Sequence, residues 1–170
     1  RGMVGRELSD RFPKRPDVTI GDVCMEVKNW TVYHPIYREK KVVDDVSFHI
    51  RRGEVVGISG LMGAGRTELL ETIFGVRTRA AGRVYFKNRL MNFNSAREAI
   101  DHGFAMITEE RKANGLFLKC DLTFNTTIAN LDQYKSGPAL SNPKMVKATN
   151  KEIKVMRTKC MGPDDMITSL

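Results

Sequence analysis

The stretch VVGISGLMGAGRTELLETIFG, residues 55–75, decides the fold prediction. Residues 55–59 form a short apolar run, which is typical of a strand buried on both faces of a parallel sheet. A glycine-rich loop follows, and residues 67–74 then place Leu69, Leu70 and Ile73 on one helical face. Gly75 is suited to end that helix. The order of strand, glycine loop and helix predicts an α/β domain.

The segments on either side of this stretch add further strands. Residues 23–30 and 46–50 alternate apolar and polar positions, which predicts two strands joined by a polar and aromatic loop over residues 31–41. Residues 82–90 are predicted to form a strand and a turn, and residues 105–108 a short strand. Together these segments predict a mixed sheet with an antiparallel portion near the N-terminus.

Helices are predicted mainly in the later part of the chain. Ser95 and Glu98 have the spacing of a capping box for a helix over residues 96–102. Residues 123–134 and 142–161 are predicted as two helices, with prolines between them. Residues 1–21 are charged and weakly periodic, which predicts an arm or linker with a short helix near residues 4–12.

The glycine-rich loop is the strongest candidate site. It reads G-x-x-x-x-G-R-T and differs at one position from the phosphate-binding pattern G-x-x-x-x-G-K-[ST]. Its glycines let backbone N–H groups approach phosphate oxygens, and the following helix directs its positive end to the same place. The simpler alternative is an ordinary strand-to-helix turn. The candidate residues are Gly60, Leu61, Met62, Gly63, Ala64, Gly65, Arg66 and Thr67.

Arg66 is the departure from that pattern. A lysine places a compact ammonium between phosphates, whereas the planar guanidinium of Arg66 is larger and always charged. Arg66 could bind phosphate, or it could point away and leave a weaker site. The hydroxyl of Thr67 stands where the pattern has a magnesium ligand.

Composition narrows the classes of function. The 170 residues contain 28 Lys and Arg against 20 Asp and Glu, a net charge of +8, which suits nucleic acid, an anionic membrane surface or a phosphate ligand. The three cysteines are far apart, so they favour neither a disulfide framework nor a zinc ribbon. The longest apolar run, residues 55–65, is too short to span a bilayer. Residues 1–16 have no apolar stretch and so no secretory signal.

Several motifs together resemble one family. They are VSFHI at 46–50, RRGEVVGISG at 51–60, LMGAGRTELLETIFG at 61–75 and ITEERKANGL at 107–116. With NWTVYHPIYREKKVVDDVSF at 29–48, they resemble the ATPases of ABC transporters. The resemblance is to carbohydrate importers of the xylose, galactose, ribose or multiple-monosaccharide type. Within these it is to the second, C-terminal nucleotide-binding domain, in which the phosphate loop commonly carries arginine.

The resemblance implies a role for particular residues. Residues 60–67 match the Walker A loop, with Arg66 at the lysine position, and Glu109 falls at the Q-loop position. Thr67 and Glu109 are thereby implied to meet magnesium through ATP, although Glu109 is alternatively a solvated acid in a charged loop. Tyr33 or Tyr37 is implied to stack on adenine, with His34 as a further candidate; the alternative is surface aromatics that cover a sheet edge.

The resemblance also implies an architecture and a function. The expected parts are a linker over residues 1–21, a partial ATP-binding core over residues 22–119 and the start of a helical subdomain over residues 120–170. The family's signature sequence should follow Leu170, and neither a Walker B acid nor a switch histidine is found, so we expect an inactive fragment of a sugar-transporting ATPase.

The partners implied are a first nucleotide-binding domain in the same chain, membrane permease subunits and, indirectly, an external sugar-binding protein. The implied location is peripheral, at the cytoplasmic face of the membrane. The main alternative is a regulatory module that binds ATP without hydrolysing it, which Arg66 and Glu109 both favour. The hypothesis of nucleic-acid binding rests on net charge alone, and we rank it far below the two ATP-binding hypotheses.

Overall fold

The computed structural model describes residues 18–169. Residues 1–17 of the predicted arm, including its short helix, lie outside this range, and residues 18–21 have no regular structure. The described chain forms two compact units, the first ending at Ala105 and the second beginning at Met106. The functional boundary that we placed between residues 119 and 120 stays a prediction.

Four antiparallel strands form the sheet of the first unit, in the order β2-β1-β3-β4. The strands predicted at 23–30, 46–50 and 82–90 are confirmed, but β1 and β2 are longer than expected and take in both ends of the predicted loop at 31–41. Val32 and Val43 explain the extension, because both are buried and oppose each other across the two strands. The bounds are β1 Val23–Tyr33, β2 Lys41–Arg51, β3 Ala81–Phe86 and β4 Arg89–Met91.

Helix α1, Arg66–Ile73, packs on this sheet and confirms the predicted helix. It ends at Gly75 as predicted: the Val76 amide donates to Glu71 O at 2.9 Å and the Gly75 amide to Thr72 O at 3.3 Å. This pair of bonds is the Schellman motif. The core that joins helix and sheet comprises Val27, Trp30, Val32, Val43, Leu69, Ile73 and Val84.

Helix α2, Ala96–Asp101, begins at the predicted cap. Ser95 Oγ accepts from the Glu98 amide at 3.3 Å, and Glu98 Oε2 accepts from the Asn94 amide at 2.9 Å. The capping box is therefore present, but its return bond reaches one residue further upstream than the standard pattern.

Two predicted strands, at residues 55–59 and 105–108, are wrong. Among residues 18–169 neither segment pairs with a strand, and Val55 is 73% exposed and Ile107 94%. A strand exists only where a neighbour completes its hydrogen bonds, so apolar sequence alone does not make one. The α/β class and the antiparallel portion of the sheet are confirmed.

The second unit is mainly helical. Helix α3, Leu122–Thr127, continues into a 3₁₀ segment, Ile128–Tyr134, with a non-helical residue at Asn130. A two-residue hairpin pairs β5, Lys135–Ser136, with β6, Ala139–Leu140. Helix α4, Asn142–Met156, ends five residues before the predicted Met161, because Arg157 adopts a left-handed conformation. A π-helical turn spans Arg111–Gly115.

Candidate phosphate-binding site

The glycine-rich loop turns sharply before α1. The Ala64 amide donates to Leu61 O at 3.1 Å, and both Gly63 and Gly65 have positive φ, 80° and 79°. Gly65 is also buried against β2, since a Cβ added there would lie 2.1 Å from the carbonyl oxygen of Val42. Only glycine satisfies both the left-handed conformation and this close approach. The sheet therefore fixes where the loop ends and α1 begins.

The start of α1 follows directly on the loop. Gly65 is the N-cap residue and has no side chain with which to cap the helix. The first amides of any α-helix lie outside its internal hydrogen-bond ladder, and the helix dipole adds partial positive charge at the same end. This arrangement is suited to an anion such as a phosphate group.

Arg66 lies at the surface of the loop. Its side chain runs back beside Gly60, where a Cβ added to that glycine would lie 3.7 Å from Arg66 Cδ and 3.8 Å from Nε. Leu61 and Met62 are 87% and 99% exposed. The loop is thus open to solvent on the side that carries the guanidinium, so an anion could reach both the charge and the helix end.

The two residues predicted to meet magnesium belong to different compact units. Thr67 is half-buried in the first turn of α1, and Glu109 is an exposed residue of the second unit. Among residues 18–169 no group of three His, Cys, Asp or Glu side chains could hold a metal ion by itself. Both assignments stay predictions.

The adenine candidates lie at the end of β1 and in the turn that follows. Tyr33 is 43% exposed and pairs in register with Lys41, the residue before Val42, whose carbonyl contacts Gly65. Tyr37 is 66% exposed and its ring centroid lies 5.0 Å from that of His34. Of the two candidates, Tyr33 is therefore the one in a strand, paired with the residue before Val42, and the adenine assignment stays a prediction.

His34 has a structural part in this turn. Its Nδ1 accepts from the amides of Ile36 and Tyr37, both at 3.1 Å. Nearby, Lys41 Nζ donates to Asp44 Oδ1 at 2.7 Å, and this bond with the Asp44 charge raises the pKa of Lys41. Such exposed contacts shape the turn and supply no reacting group.

One contact near the site was not predicted from the sequence. Trp30 is 2% exposed, and its Nε1–H donates to Thr72 Oγ1 at 2.8 Å. Strict alternation from Val27 would not bury Trp30, which lies three residues further on; an irregularity in β1 between them, with Asn29 at φ 50°, brings both to the buried side. The burial of Thr72 follows from its neighbours Leu69 and Ile73 on the same face of α1.

No helix between residues 18 and 169 is both long enough and apolar enough to cross a membrane.

The sequence has close relatives. It is 45% identical over 169 residues to the galactose/methyl galactoside import ATP-binding protein of Treponema denticola, an alignment that covers 99% of this chain and 33% of the relative. It is 50% identical over 133 residues to the L-arabinose transport ATP-binding protein of Geobacillus stearothermophilus, covering 77% of this chain and 26% of the relative. The chain thus spans about a third or less of the length of these relatives.

Solved structures share the fold. A nucleotide-free ATP-binding cassette from an ABC transporter matches with a TM-score of 0.66 at 21% identity, covering 87% of this chain and 59% of that one. A dimeric ATP-binding cassette in a post-hydrolysis state, bound to ADP and Pi, also matches at 0.66, with 20% identity over 86% of this chain and 62% of that one. The family model for ABC transporters matches residues 43–162, well over half of the sequence. The chain belongs to the ABC transporter family.

Proposed function

We propose that this chain is an ATP-binding part of an ABC-type ATPase that drives the import of a monosaccharide. The loop at 60–67 is the observation that carries the proposal, because its two left-handed glycines and the first amides of α1 suit phosphate. Two relatives named above, a galactose/methyl galactoside import protein and an L-arabinose transport protein, support the substrate class.

In this proposal different residues of the chain bind different parts of ATP. The amides of the loop and of the first turn of α1 bind the phosphates, Arg66 adds a positive charge, and Tyr33 stacks on the adenine. The hydroxyl of Thr67 and the carboxylate of Glu109 are hard oxygen donors, which fit magnesium. Magnesium, when bound, neutralises the charge of the phosphates.

Coupling to transport requires partners beyond these 170 residues. The proposed partners are a first nucleotide-binding domain in the same chain and membrane permease subunits, with an external sugar-binding protein acting indirectly. The proposed location is peripheral, at the cytoplasmic face of the membrane. In such an assembly ATP binding and hydrolysis drive sugar uptake.

A second candidate function is a module that binds ATP without turning it over. Arg66 favours it, because a guanidinium that pairs with two phosphate oxygens holds the ground state as well as the transition state. On this alternative another nucleotide-binding domain performs the hydrolysis.

Two glycine substitutions test the proposed function as a matched pair. Gly63 and Gly103 both have positive φ, 80° and 87°, and a Cβ at either position meets open space. Gly63→Asp and Gly103→Asp therefore introduce the same strain and the same negative charge, but only the first lies in the loop. We expect Gly63→Asp to weaken ATP binding about tenfold or more and Gly103→Asp to leave it unchanged.

The measurement is calorimetric titration of the chain with ATP and magnesium. Equal affinities for the two variants would contradict the assignment of the loop, and the absence of nucleotide binding by the unsubstituted chain would contradict the proposed function.

A further inference from the structure

The contact between Trp30 and Thr72 joins the middle of the sheet to the second half of α1. Trp30 and Thr72 are each 2% exposed, and Nε1 lies 2.8 Å from Oγ1. The Thr72 hydroxyl lies 2.7 Å from Glu68 O and 3.0 Å from Leu69 O, one turn back along the helix. A hydroxyl carries a single hydrogen, so it accepts from the indole and donates to one of these carbonyls.

The indole itself is held on several sides. The Arg79 guanidinium lies over its ring, 5.0 Å from the centroid, while Arg79 Nε donates to Gly82 O at 3.2 Å. Gly82 approaches so closely that a Cβ there would lie 2.7 Å from the Trp30 Cα and 2.9 Å from the ring. The indole N–H is therefore a fixed donor with a defined direction.

Helix α1 is consequently attached to the sheet at two points. At its start, Gly65 lies against the carbonyl of Val42 in β2. In its second half, Thr72 is bonded to Trp30 in β1. Leu69 and Ile73 add apolar contacts, which stabilise the packing but have no preferred direction. The indole bond is the directional restraint at the second point.

We infer that Trp30 and Thr72 are positioning residues, which hold α1 at the angle that directs its first amides at a bound phosphate. This inference rests on the proposed function of the loop. Because Gly65 fixes only the start of α1, loss of the second attachment leaves the angle of the helix to be set by non-directional packing. A tilt moves the amides of the first turn relative to the loop amides, and an anion then fits fewer of them.

Substitutions at Thr72 separate the hydroxyl from side-chain volume. Thr72→Ser keeps the hydroxyl, whereas Thr72→Val keeps the branched shape and removes the acceptor. Trp30→Phe removes the donor from the other side and serves as the test if Thr72→Val does not fold. Phe104→Leu is the control for loss of core packing, because its ring packs on Phe86 and Phe93 in the same unit and belongs to neither attachment.

We expect Thr72→Val and Trp30→Phe to bind ADP about three- to tenfold more weakly, measured far below their unfolding temperatures. Thr72→Ser and Phe104→Leu should bind as the unsubstituted chain does. Trp30 is the one tryptophan in the sequence, so its fluorescence reports the contact directly. The emission of Thr72→Val should differ from that of the unsubstituted chain, because its indole N–H has lost its acceptor, whereas the emission of Thr72→Ser should not.

Two results would overturn the inference: unchanged ADP affinity in both Thr72→Val and Trp30→Phe, or an equal loss of affinity in Phe104→Leu. If the unsubstituted chain does not bind ADP, the proposed function fails first, so the two failures are distinguishable.

Discussion

Arg66 is the residue at which this loop departs from the usual phosphate-binding pattern. The structure places its side chain beside Gly60 on the open side of the loop, within reach of solvent and of an arriving ligand. The phosphate-binding pattern of the loop could be predicted from the sequence, because that pattern is defined by residue spacing. The requirement for glycine at position 65 could not be predicted in this way. It depends on the carbonyl of Val42, more than twenty positions earlier in the chain.

Substitution of Arg66 by lysine tests whether this side chain sets the character of the site. A guanidinium pairs with two phosphate oxygens, whereas an ammonium acts as a point charge. We expect Arg66→Lys to bind ATP about three- to tenfold more weakly, as measured by titration calorimetry. Arg83→Lys, at an exposed position in β3, is the control for the change of residue type. Unchanged affinity in Arg66→Lys would mean that the guanidinium lies in solvent and takes no part in binding.

At the scale of elements, local patterns predicted the structure wherever the partner of an element was itself local. Strands β1 and β2 alternate and pair with each other, and α1 has both its apolar face and its terminating Gly75 within a few residues. The strand prediction for residues 55–59 was wrong because a buried strand requires neighbouring strands on both sides. The residues of the segment do not specify those neighbours. For helix α4 only the predicted C-terminal end was wrong. Arg157 ends the helix, but arginine is not a sequence signal for a helix end in the way that glycine is.

The end of α4 therefore provides a test of stability. Arg157 has φ 53° and ψ 42°, a left-handed conformation that is unfavourable for residues with a Cβ. We expect Arg157→Gly to stabilise the last turn of α4 by roughly 0.5 to 1 kcal/mol. Hydrogen exchange of the α4 amides measures this change without requiring the two units to unfold together. Arg157→Ala removes the same charge but keeps the Cβ, so an equal gain in that variant would show that charge, not backbone conformation, limits the helix.

At the scale of the whole molecule, a short apolar segment is exposed to solvent. Val55, Val56 and Ile58 are 73%, 38% and 40% exposed, and residues 55–59 pair with no strand in the part of the chain that the structure describes. Segments that are apolar, β-prone and unpaired are the usual sites of association between chains. The unpaired apolar segment at 55–59 is therefore expected to promote association between chains in solution.

We expect the 170-residue chain to self-associate with increasing concentration and to bind a hydrophobic dye, with the segment at 55–59 responsible for both. Val55→Thr combined with Ile58→Thr should lower dye fluorescence and shift the sedimentation profile toward monomer, because each change replaces an exposed apolar surface by a hydroxyl. The control is Ile36→Thr combined with Val76→Thr, two exposed apolar residues, 77% and 52%, that lie outside the segment. If the control pair reduces association as much as the first pair, exposed apolar area in general causes it. If neither pair does, association has a source other than these apolar side chains.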